Sequence, residues 1–378
     1  MRFDGDPVGL TQALVQMDSI NPPGNEQRIC EYLLPLLQEV GFYTELHPFA
    51  QGRTNLVATL PATNRQSPTL VFSGHVDTVP LGAAPWLVRP LSGEIEGDRL
   101  YGRGSSDMKG GVAAMIAAAR RLASFASRSA DIQLVISAAE ETGSEGVSAL
   151  VDTPKALGDC GLLVVAEPTD NYPMLGHKGA LWTELEFIGV TAHGAMPEQG
   201  ESALFKACDA VERLRKSDFY HAEHAVLGQA TLNMGYLHAG DNLNSVPDSA
   251  RIGVDLRSIP GQSHARLIAD MHTLIDDAST TIGTLVDLPA VYTDPAEPTM
   301  KMALTVAEQV FCLAAQPRAA RYFTDASVLT GFFDDAPTLI MGPGVMTMAH
   351  QTDEYCLVSA IRQATDYYEA LGAAYLQA

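Results

Sequence analysis

The apolar positions in the first half of the chain follow two different spacings. Residues 7–18 and 26–41 place apolar side chains at helical spacing, and a turn rich in proline and glycine separates them. Shorter apolar runs predict strands at residues 55–60, 69–72, 131–139 and 162–166. Because the first two strands are close in sequence, we expect a hairpin or neighbouring strands. A helix rich in small residues follows the second strand, and this alternation indicates an α/β domain.

Three of these predicted strands are followed by a histidine or an acid. His75 and Asp77 follow the second strand, Glu140 and Glu141 follow the third, and Glu167 follows the fourth. Open α/β sheets bind ligands at the carboxyl ends of their strands. An ordinary sheet has no need to place acids at one edge repeatedly. We therefore expect these side chains to share a site.

Two further candidates lie in predicted loops. Asp107 follows a glycine-rich segment and precedes the small-residue helix, and His350 follows the loop at residues 342–344. The glycines around Asp107 do not form a phosphate-binding motif. Taken alone, this acid could equally be a helix N-cap.

A different pattern begins after residue 177. The order of predicted elements is strand, helix, two strands, helix and strand, at residues 180–190, 201–215, 229–238, 249–258, 263–279 and 281–292. This β-α-β-β-α-β order is typical of a small two-layer α+β sandwich of the ferredoxin type. Alternating helices and strands resume after residue 295, so we predict an inserted domain. The predicted parts are residues 1–177, 178–292 and 293–378.

Composition and charge narrow the classes of function. The 378 residues suffice for two domains. A net charge of −21 argues against nucleic acid and anionic membranes as partners, and no apolar run approaches the roughly 18 residues of a membrane span. The five cysteines lack C-x-x-C spacing and the N-terminus lacks a secretory signal. These features predict reduced thiols and a cytoplasmic protein.

Five side chains form a candidate set of metal ligands: His75, Asp107, Glu141, Glu167 and His350. Two imidazoles with three carboxylates suit zinc, cobalt or manganese rather than calcium. A single zinc ion usually takes three protein ligands, which leaves two of these residues over. Two metals bridged by one carboxylate use all five. Asp107 is the best bridge, because its short side chain lies in a loop of small residues.

The two remaining acids suit other tasks. Glu140 lies beside a ligand in sequence and can act as a general base. In that role it takes a proton from a water between the metals and delivers it to the leaving nitrogen. Asp77, two residues after His75, can fix the tautomer of that histidine.

Five ordered motifs resemble the M20 metallopeptidases, in particular the branch of acetylornithine deacetylase and succinyl-diaminopimelate desuccinylase. They are GHVDTVP (74–80), YGRGSSDMKGG (101–111), AEETGSEG (139–146), AEPT (166–169) and AHQTDE (349–354). The resemblance implies a zinc-exopeptidase-like mixed central sheet flanked by helices, with the inserted domain serving as lid and dimerisation domain.

The resemblance also implies roles for the candidate ligands. One metal ion would be held by His75, Asp107 and Glu167, and the other by Asp107, Glu141 and His350. Zinc is the expected metal, with cobalt or manganese as alternatives. The resemblance further implies Glu140 as general acid/base, Asp77 as a support of the active site, and a cis peptide bond between Asp107 and Met108.

In the inserted domain and the loops, the resemblance implies residues that contact substrate. His193, in TAHG (191–194), matches a histidine that reaches the active site of the partner subunit and stabilises an oxyanion. Asn244 and Arg257 match lid positions that hold a substrate carboxylate. We also consider Thr324 and Gly344 as substrate-binding residues. Asp325, beside Thr324, could either face the substrate or cap the next helix.

The resulting expectation is a homodimeric two-metal amidohydrolase that cleaves the amide of an N-acylated amino acid, with a metal-bridging water as nucleophile. One alternative is a dipeptidase or a glutamate-releasing carboxypeptidase with the same metal ligands. Another is a protein that binds a metal or an amino acid without catalysis. A dehydrogenase is disfavoured, because the chain lacks a dinucleotide-binding glycine motif.

Overall fold

The computed structural model describes residues 5–218 and 220–377. Contacts between residues divide this chain into two compact units. The first unit comprises residues 5–176, 292–320 and 324–377, and the second comprises the described residues of 177–291 together with 321–323. The predicted division into catalytic parts and a lid between residues 178 and 292 stays a prediction as far as those roles are concerned.

Helices and strands alternate along most of the described chain. The helices are α1 (Pro7–Val15), α2 (Gln27–Gln38), α3 (Gly110–Ala123), α4 (Glu145–Val151), α5 (Ala203–Lys216), α6 (His264–Ile275), α7 (Pro298–Phe311), α8 (Ala326–Phe332) and α9 (Val358–Leu376). The strands are β1 (Tyr43–Ala50), β2 (Arg53–Leu60), β3 (Leu70–His75), β4 (Ile95–Glu96), β5 (Arg99–Tyr101), β6 (Ile132–Ser137), β7 (Leu162–Val165), β8 (Gly176–His177), β9 (Ala180–Ile188), β10 (Glu223–His224), β11 (Gly228–Gln229), β12 (Thr231–Ala239), β13 (Ser249–Arg257), β14 (Thr281–Leu288), β15 (Val291–Tyr292), β16 (Thr338–Ile340) and β17 (Tyr355–Leu357). Among the described helices, none is long and apolar enough to cross a membrane.

The first unit is built around a six-stranded mixed sheet with the order β1-β2-β6-β3-β7-β16. β6, β3, β7 and β16 run parallel, whereas β1 and β2 pair antiparallel at one edge. Every residue of β3, β6 and β7 is buried, as expected for parallel strands covered on both faces. The mixed sheet with flanking helices confirms the predicted fold class.

Helix α3 packs closely because its residues are small. A Cβ on Gly111 would overlap the carbonyl oxygen of Ala166, just after β7. The helix also contacts α1, α9 and β3. This close packing brings the N-terminal end of α3, and Asp107 before it, to the strand ends.

The prediction of β2 and β3 as neighbouring strands is wrong. β6 lies between them, antiparallel to β2 and parallel to β3. The hairpin partner of β2 is β1, which the apolar pattern did not reveal. β1 is an edge strand without a fully buried residue, so it carries no apolar run.

The second unit contains a four-stranded antiparallel sheet with the order β12-β13-β9-β14. Its α5 buries Ala203, Ala207, Ala210 and Leu214, a spacing that gives one apolar stripe. Together with α6, these elements form the ferredoxin-type order predicted from the sequence. Its role as a lid or dimerisation domain stays a prediction.

Candidate metal centre

Three parallel strands of the first unit bring the predicted site residues together. β3 lies between β6 and β7, with His75 opposite Ser137 and Ser73 opposite Val165. His75 is the last residue of β3, while Glu140 and Glu167 follow the ends of β6 and β7. The carboxyl ends of these neighbouring strands therefore meet at one edge of the sheet, as the sequence predicted.

His75 lies at the buried end of the cluster, with 1% of its side chain exposed. Its Nε2 atom is 3.3 Å from Asp107 Oδ1 and 3.8 Å from Glu167 Oε1. The same nitrogen is 4.0 Å from Glu140 Oε2. The histidine therefore faces three carboxylates at once.

His350 lies on the other side of Asp107, with 53% of its side chain exposed. Its Nε2 atom is 3.3 Å from Asp107 Oδ2 and 3.0 Å from Glu141 Oε2. The two oxygens of Asp107 thus face different histidines, Oδ1 toward His75 and Oδ2 toward His350. This arrangement is what a bridging carboxylate needs.

The donor atoms fit divalent metal ions. Ligand atoms on a tetrahedral zinc ion with bonds of about 2.0–2.1 Å lie about 3.3 Å apart. One ligand atom each from His75, Asp107 and Glu141 lies within 4.8 Å of the others. Glu141 Oε1 is buried and has no hydrogen-bond partner among the described residues, so it is available as a donor.

Asp77 connects the buried histidine to the loop that carries the two glutamates. His75 Nδ1 is 3.1 Å from the carbonyl oxygen of Asp77 and 3.3 Å from its Oδ1. The Asp77 carboxylate also accepts hydrogen bonds from the backbone N–H groups of Glu140 (3.2 Å) and Glu141 (3.3 Å). Asn21 Nδ2 donates a further bond of 2.9 Å. Asp77 therefore fixes both His75 and the acidic loop.

The electrostatics of the cluster favour a bound cation. Burial raises the pKa of the Glu140 and Glu167 carboxyls well above their usual values. Burial alone would also raise the pKa of Asp107, but hydrogen bonds from His350 and His75 outweigh it and lower that pKa. For His75, burial lowers the pKa, but the hydrogen bonds to Asp107 and Asp77 raise it well above its usual value. This number of buried carboxylates can stay ionised together only near positive charge.

The peptide bond between Asp107 and Met108 is cis, as the family resemblance implied. Two predicted substrate-binding residues of the first unit have contacts that the sequence did not predict. The hydroxyl of Thr324 is buried and accepts the N–H of Ala326 at 3.1 Å. A Cβ on Gly344 would overlap the carbonyl oxygen of Ser106, which accounts for the glycine by packing. Substrate contact by Thr324 and Gly344 stays a prediction.

Asp325 does not cap α8, although it stands at the N-cap position. Among the described residues, its side chain makes no capping bond to the helix. Instead, the hydroxyl of Ser137 donates a 2.5 Å hydrogen bond to Asp325 Oδ2. The alternative of a simple helix cap is therefore wrong, because the carboxylate is turned toward the end of β6.

The second unit holds the three other predicted residues. His193 and Asn244 are exposed and lie on adjoining segments, where His193 bridges to Ser245 and Gly194 N–H donates to the Asn244 carbonyl at 2.6 Å. Arg257 is already paired: its Nε is 2.9 Å from Oδ1 of Asp255, on the same strand. That partner was missed, although the D-x-R spacing of a strand places both side chains on one face.

An α/β fold that gathers histidine and carboxylate donors at the ends of its parallel strands is typical of a metal-dependent hydrolase. The model of Peptidase family M20/M25/M40 matches residues 71–373, so the chain belongs to this family. The resemblance predicted from the five motifs is thus confirmed.

Individual relatives extend this finding over nearly the whole chain. The acetylornithine deacetylase of Klebsiella pneumoniae (strain 342) is 28% identical over 368 residues, covering 92% of each chain. The crystal structure of aminopeptidase PepT from Bacillus cereus ATCC 10987 matches with a TM-score of 0.78 at 21% identity, covering 97% of each chain. The Bacillus subtilis YXEP protein, described as a dinuclear metal binding peptidase of the M20 family, matches with a TM-score of 0.74 at 14% identity over 98% of each chain. At these identities, the solved structures show the shared fold.

Proposed function

We propose that this M20 hydrolase cleaves the amide bond of an N-acylated amino acid with two bound divalent metals. The observation that carries the two-metal part is the position of Asp107, whose two oxygens face His75 and His350 separately. The acylated substrate is supported by the acetylornithine deacetylase relative, which aligns over 92% of this chain.

The proposed ligands of one metal are His75, Asp107 and Glu167, and those of the other are Asp107, Glu141 and His350. Imidazole and carboxylate donors suit zinc, with cobalt or manganese as alternatives. When bound, such a pair of ions supplies an acidic water and polarises the amide carbonyl. The description of the YXEP protein as a dinuclear metal binding peptidase supports the binding of two metals.

Two side chains of the protein have further roles: Glu140 transfers the proton, and Asp77 orients a metal ligand. Glu140 Oε2 lies 4.0 Å from His75 Nε2 and is therefore beside the proposed metal ligands. We assign it the proton transfer: it accepts a proton from the attacking water and returns it to the nitrogen as the amide bond breaks. Asp77 holds the His75 ring through Nδ1, so that Nε2 points into the cluster.

We assign substrate binding to three residues of the second unit and two of the first. His193 supports the carbonyl oxygen as negative charge develops there, and it acts on the active site of the partner subunit in a homodimer. Asn244 and Arg257 hold the free carboxylate of the amino acid, with Thr324 and Gly344 as further contacts. Arg257 would have to share or exchange its present partner Asp255 to do so.

We also propose a cytoplasmic location, which the five free cysteines support.

A substrate panel tests the proposal. The metal-free protein is loaded with Zn²⁺, Co²⁺ or Mn²⁺ and assayed with N-acetyl and N-succinyl amino acids, dipeptides and acyl-glutamates. We expect hydrolysis of N-acyl amino acids that a chelator abolishes and added metal restores. Turnover of dipeptides alone would instead support the dipeptidase alternative. Metal binding without turnover of any substrate would support a binding protein.

A further inference from the structure

Glu354 is a buried carboxylate that has no task in the proposed reaction. Its side chain is fully buried and accepts four hydrogen bonds. Oε2 accepts from Arg103 Nη1 at 2.7 Å and from Gly104 N–H at 2.9 Å. Oε1 accepts from Ser106 N–H at 2.8 Å and from Asp107 N–H at 3.0 Å. One carboxylate thus binds the whole turn that ends in the proposed bridging ligand.

The same contacts join two segments that are distant in sequence. Glu354 lies four residues after His350, whereas its hydrogen-bond donors lie in residues 103–107. The Ser106 hydroxyl donates to the Tyr355 carbonyl at 2.7 Å and accepts the N–H of Val345 at 2.9 Å. β17 also pairs antiparallel with β5 directly before the turn. The segments that supply Asp107 and His350 are therefore fastened to each other at Glu354.

We propose that Glu354 is a positioning residue that sets the affinity of the protein for both metals. It fixes the backbone of Asp107 relative to the segment of His350, whose Nε2 is 3.3 Å from Asp107 Oδ2. Because Asp107 is assigned to both metals, a displaced Asp107 weakens both sites. This inference rests on the proposed metal centre.

The chemistry of the site requires a carboxylate at this position. All four partners are N–H donors, and a carboxylate can accept from all four because it has only acceptor oxygens. A glutamine of the same size would present its NH₂ group to two of these donors. It would leave those donors unsatisfied and would remove the negative charge opposite Arg103. The turn would then lose its fixed geometry without any change at a metal ligand.

Glu26 provides a matched control in the same unit. It is also fully buried, and it accepts hydrogen bonds from Arg53 Nε at 2.8 Å and Arg53 Nη2 at 2.7 Å. Among the described residues, its side-chain hydrogen bonds go to that arginine and not to the turn at residues 103–107. The Glu26→Gln variant therefore disrupts a buried carboxylate–arginine pair without touching the Asp107 turn.

The experiment compares wild type, Glu354→Gln, Glu354→Asp and Glu26→Gln as full-length proteins. Each is stripped of metal, and Zn²⁺ and Co²⁺ affinities are measured by competition with a chromogenic chelator. We expect Glu354→Gln to bind both ions on the order of 10–100-fold more weakly, with Glu354→Asp between it and wild type. The visible absorption spectrum of bound Co²⁺ should also change in Glu354→Gln. Glu26→Gln should keep the wild-type affinity and spectrum, even if its melting temperature falls.

The outcomes separate this inference from the proposed metal centre. If wild type binds neither ion, the proposed metal centre itself is wrong. If wild type binds both and Glu354→Gln binds them equally well, the positioning role is wrong. If Glu354→Gln fails to fold, hydrogen exchange in metal-free wild type tests the positioning role instead. The amides of Gly104, Ser106 and Asp107 should be as protected as those of β3, and rapid exchange at these three amides would refute the inference.

Discussion

The two units hold their predicted functional residues in different ways. In the first unit, His75, Asp77 and Asp107 are buried and linked by hydrogen bonds to one another. In the second unit, His193 is exposed, and the guanidinium of Arg257 is paired with a neighbour on its own strand. The first arrangement is held in place by its own hydrogen bonds, as catalytic electrostatics require. The second consists of residues that must acquire or change partners before they act on a substrate.

The largest expected effect comes from the first unit. Replacing Glu140 by glutamine removes the proposed proton acceptor but none of the proposed metal ligands. We expect kcat to fall about 10²–10⁴-fold, while the metal content measured by elemental analysis stays at the wild-type value. A kcat close to wild type would show that Glu140 is not the general base.

A somewhat smaller effect is expected in the second unit. Replacing the exposed His193 by alanine should lower kcat about 10²–10³-fold, the usual cost of losing one oxyanion donor. The metal content should again be unchanged. An unaltered kcat would remove His193 from the reaction.

Mixing two inactive variants tests whether His193 serves the other subunit. A hybrid dimer of Glu140→Gln and His193→Ala chains has one site with both groups intact. After random reassociation, we expect about a quarter of the wild-type activity, because half of the dimers are hybrids with one working site of two. If the mixture stays as inactive as its components, His193 acts within its own chain or the protein does not form this dimer.

The smallest expected effect concerns Arg257. Lysine keeps the charge but loses the two-pronged hydrogen bonding of the guanidinium. We expect the Arg257→Lys variant to raise KM about 10-fold or more for substrates with a free carboxylate. Substrates with a carboxamide in its place are the control, and their KM should not change. An equal loss on both kinds of substrate would show that Arg257 maintains structure through Asp255 instead.

The same contrast explains which parts of the site could be predicted. His75 ends a buried apolar strand, and Glu140 and Glu167 follow such strands within three residues. The strand pattern and its polar end are therefore visible together in the sequence. Parallel pairing then brings these ends to one edge, which general rules for α/β sheets predict. The order of elements in the second unit was predictable for a similar reason, because it depends on local spacing alone.

Other features depend on pairings between distant residues. β6 separates β2 from β3, although the latter two are close in sequence, because the fully buried β6 takes a central position in the sheet. Asn21 approaches Asp77 across 56 residues, and Arg103 approaches Glu354 across 251. Taken singly, such residues resemble ordinary turn or surface residues. Only the folded chain shows that they are buried and what they bind.

The unequal exposure of the two histidines predicts different rates of metal loss from the two proposed sites. His75 is enclosed, whereas about half of the His350 side chain is in contact with solvent. An ion at the proposed His350 site would exchange its ligands for water step by step. An ion at the proposed His75 site would leave only when the surrounding protein opens. Loss of metal to a chelator should therefore have a fast and a slow phase. A partly stripped preparation would then be a population of singly loaded molecules that retain the ion at His75.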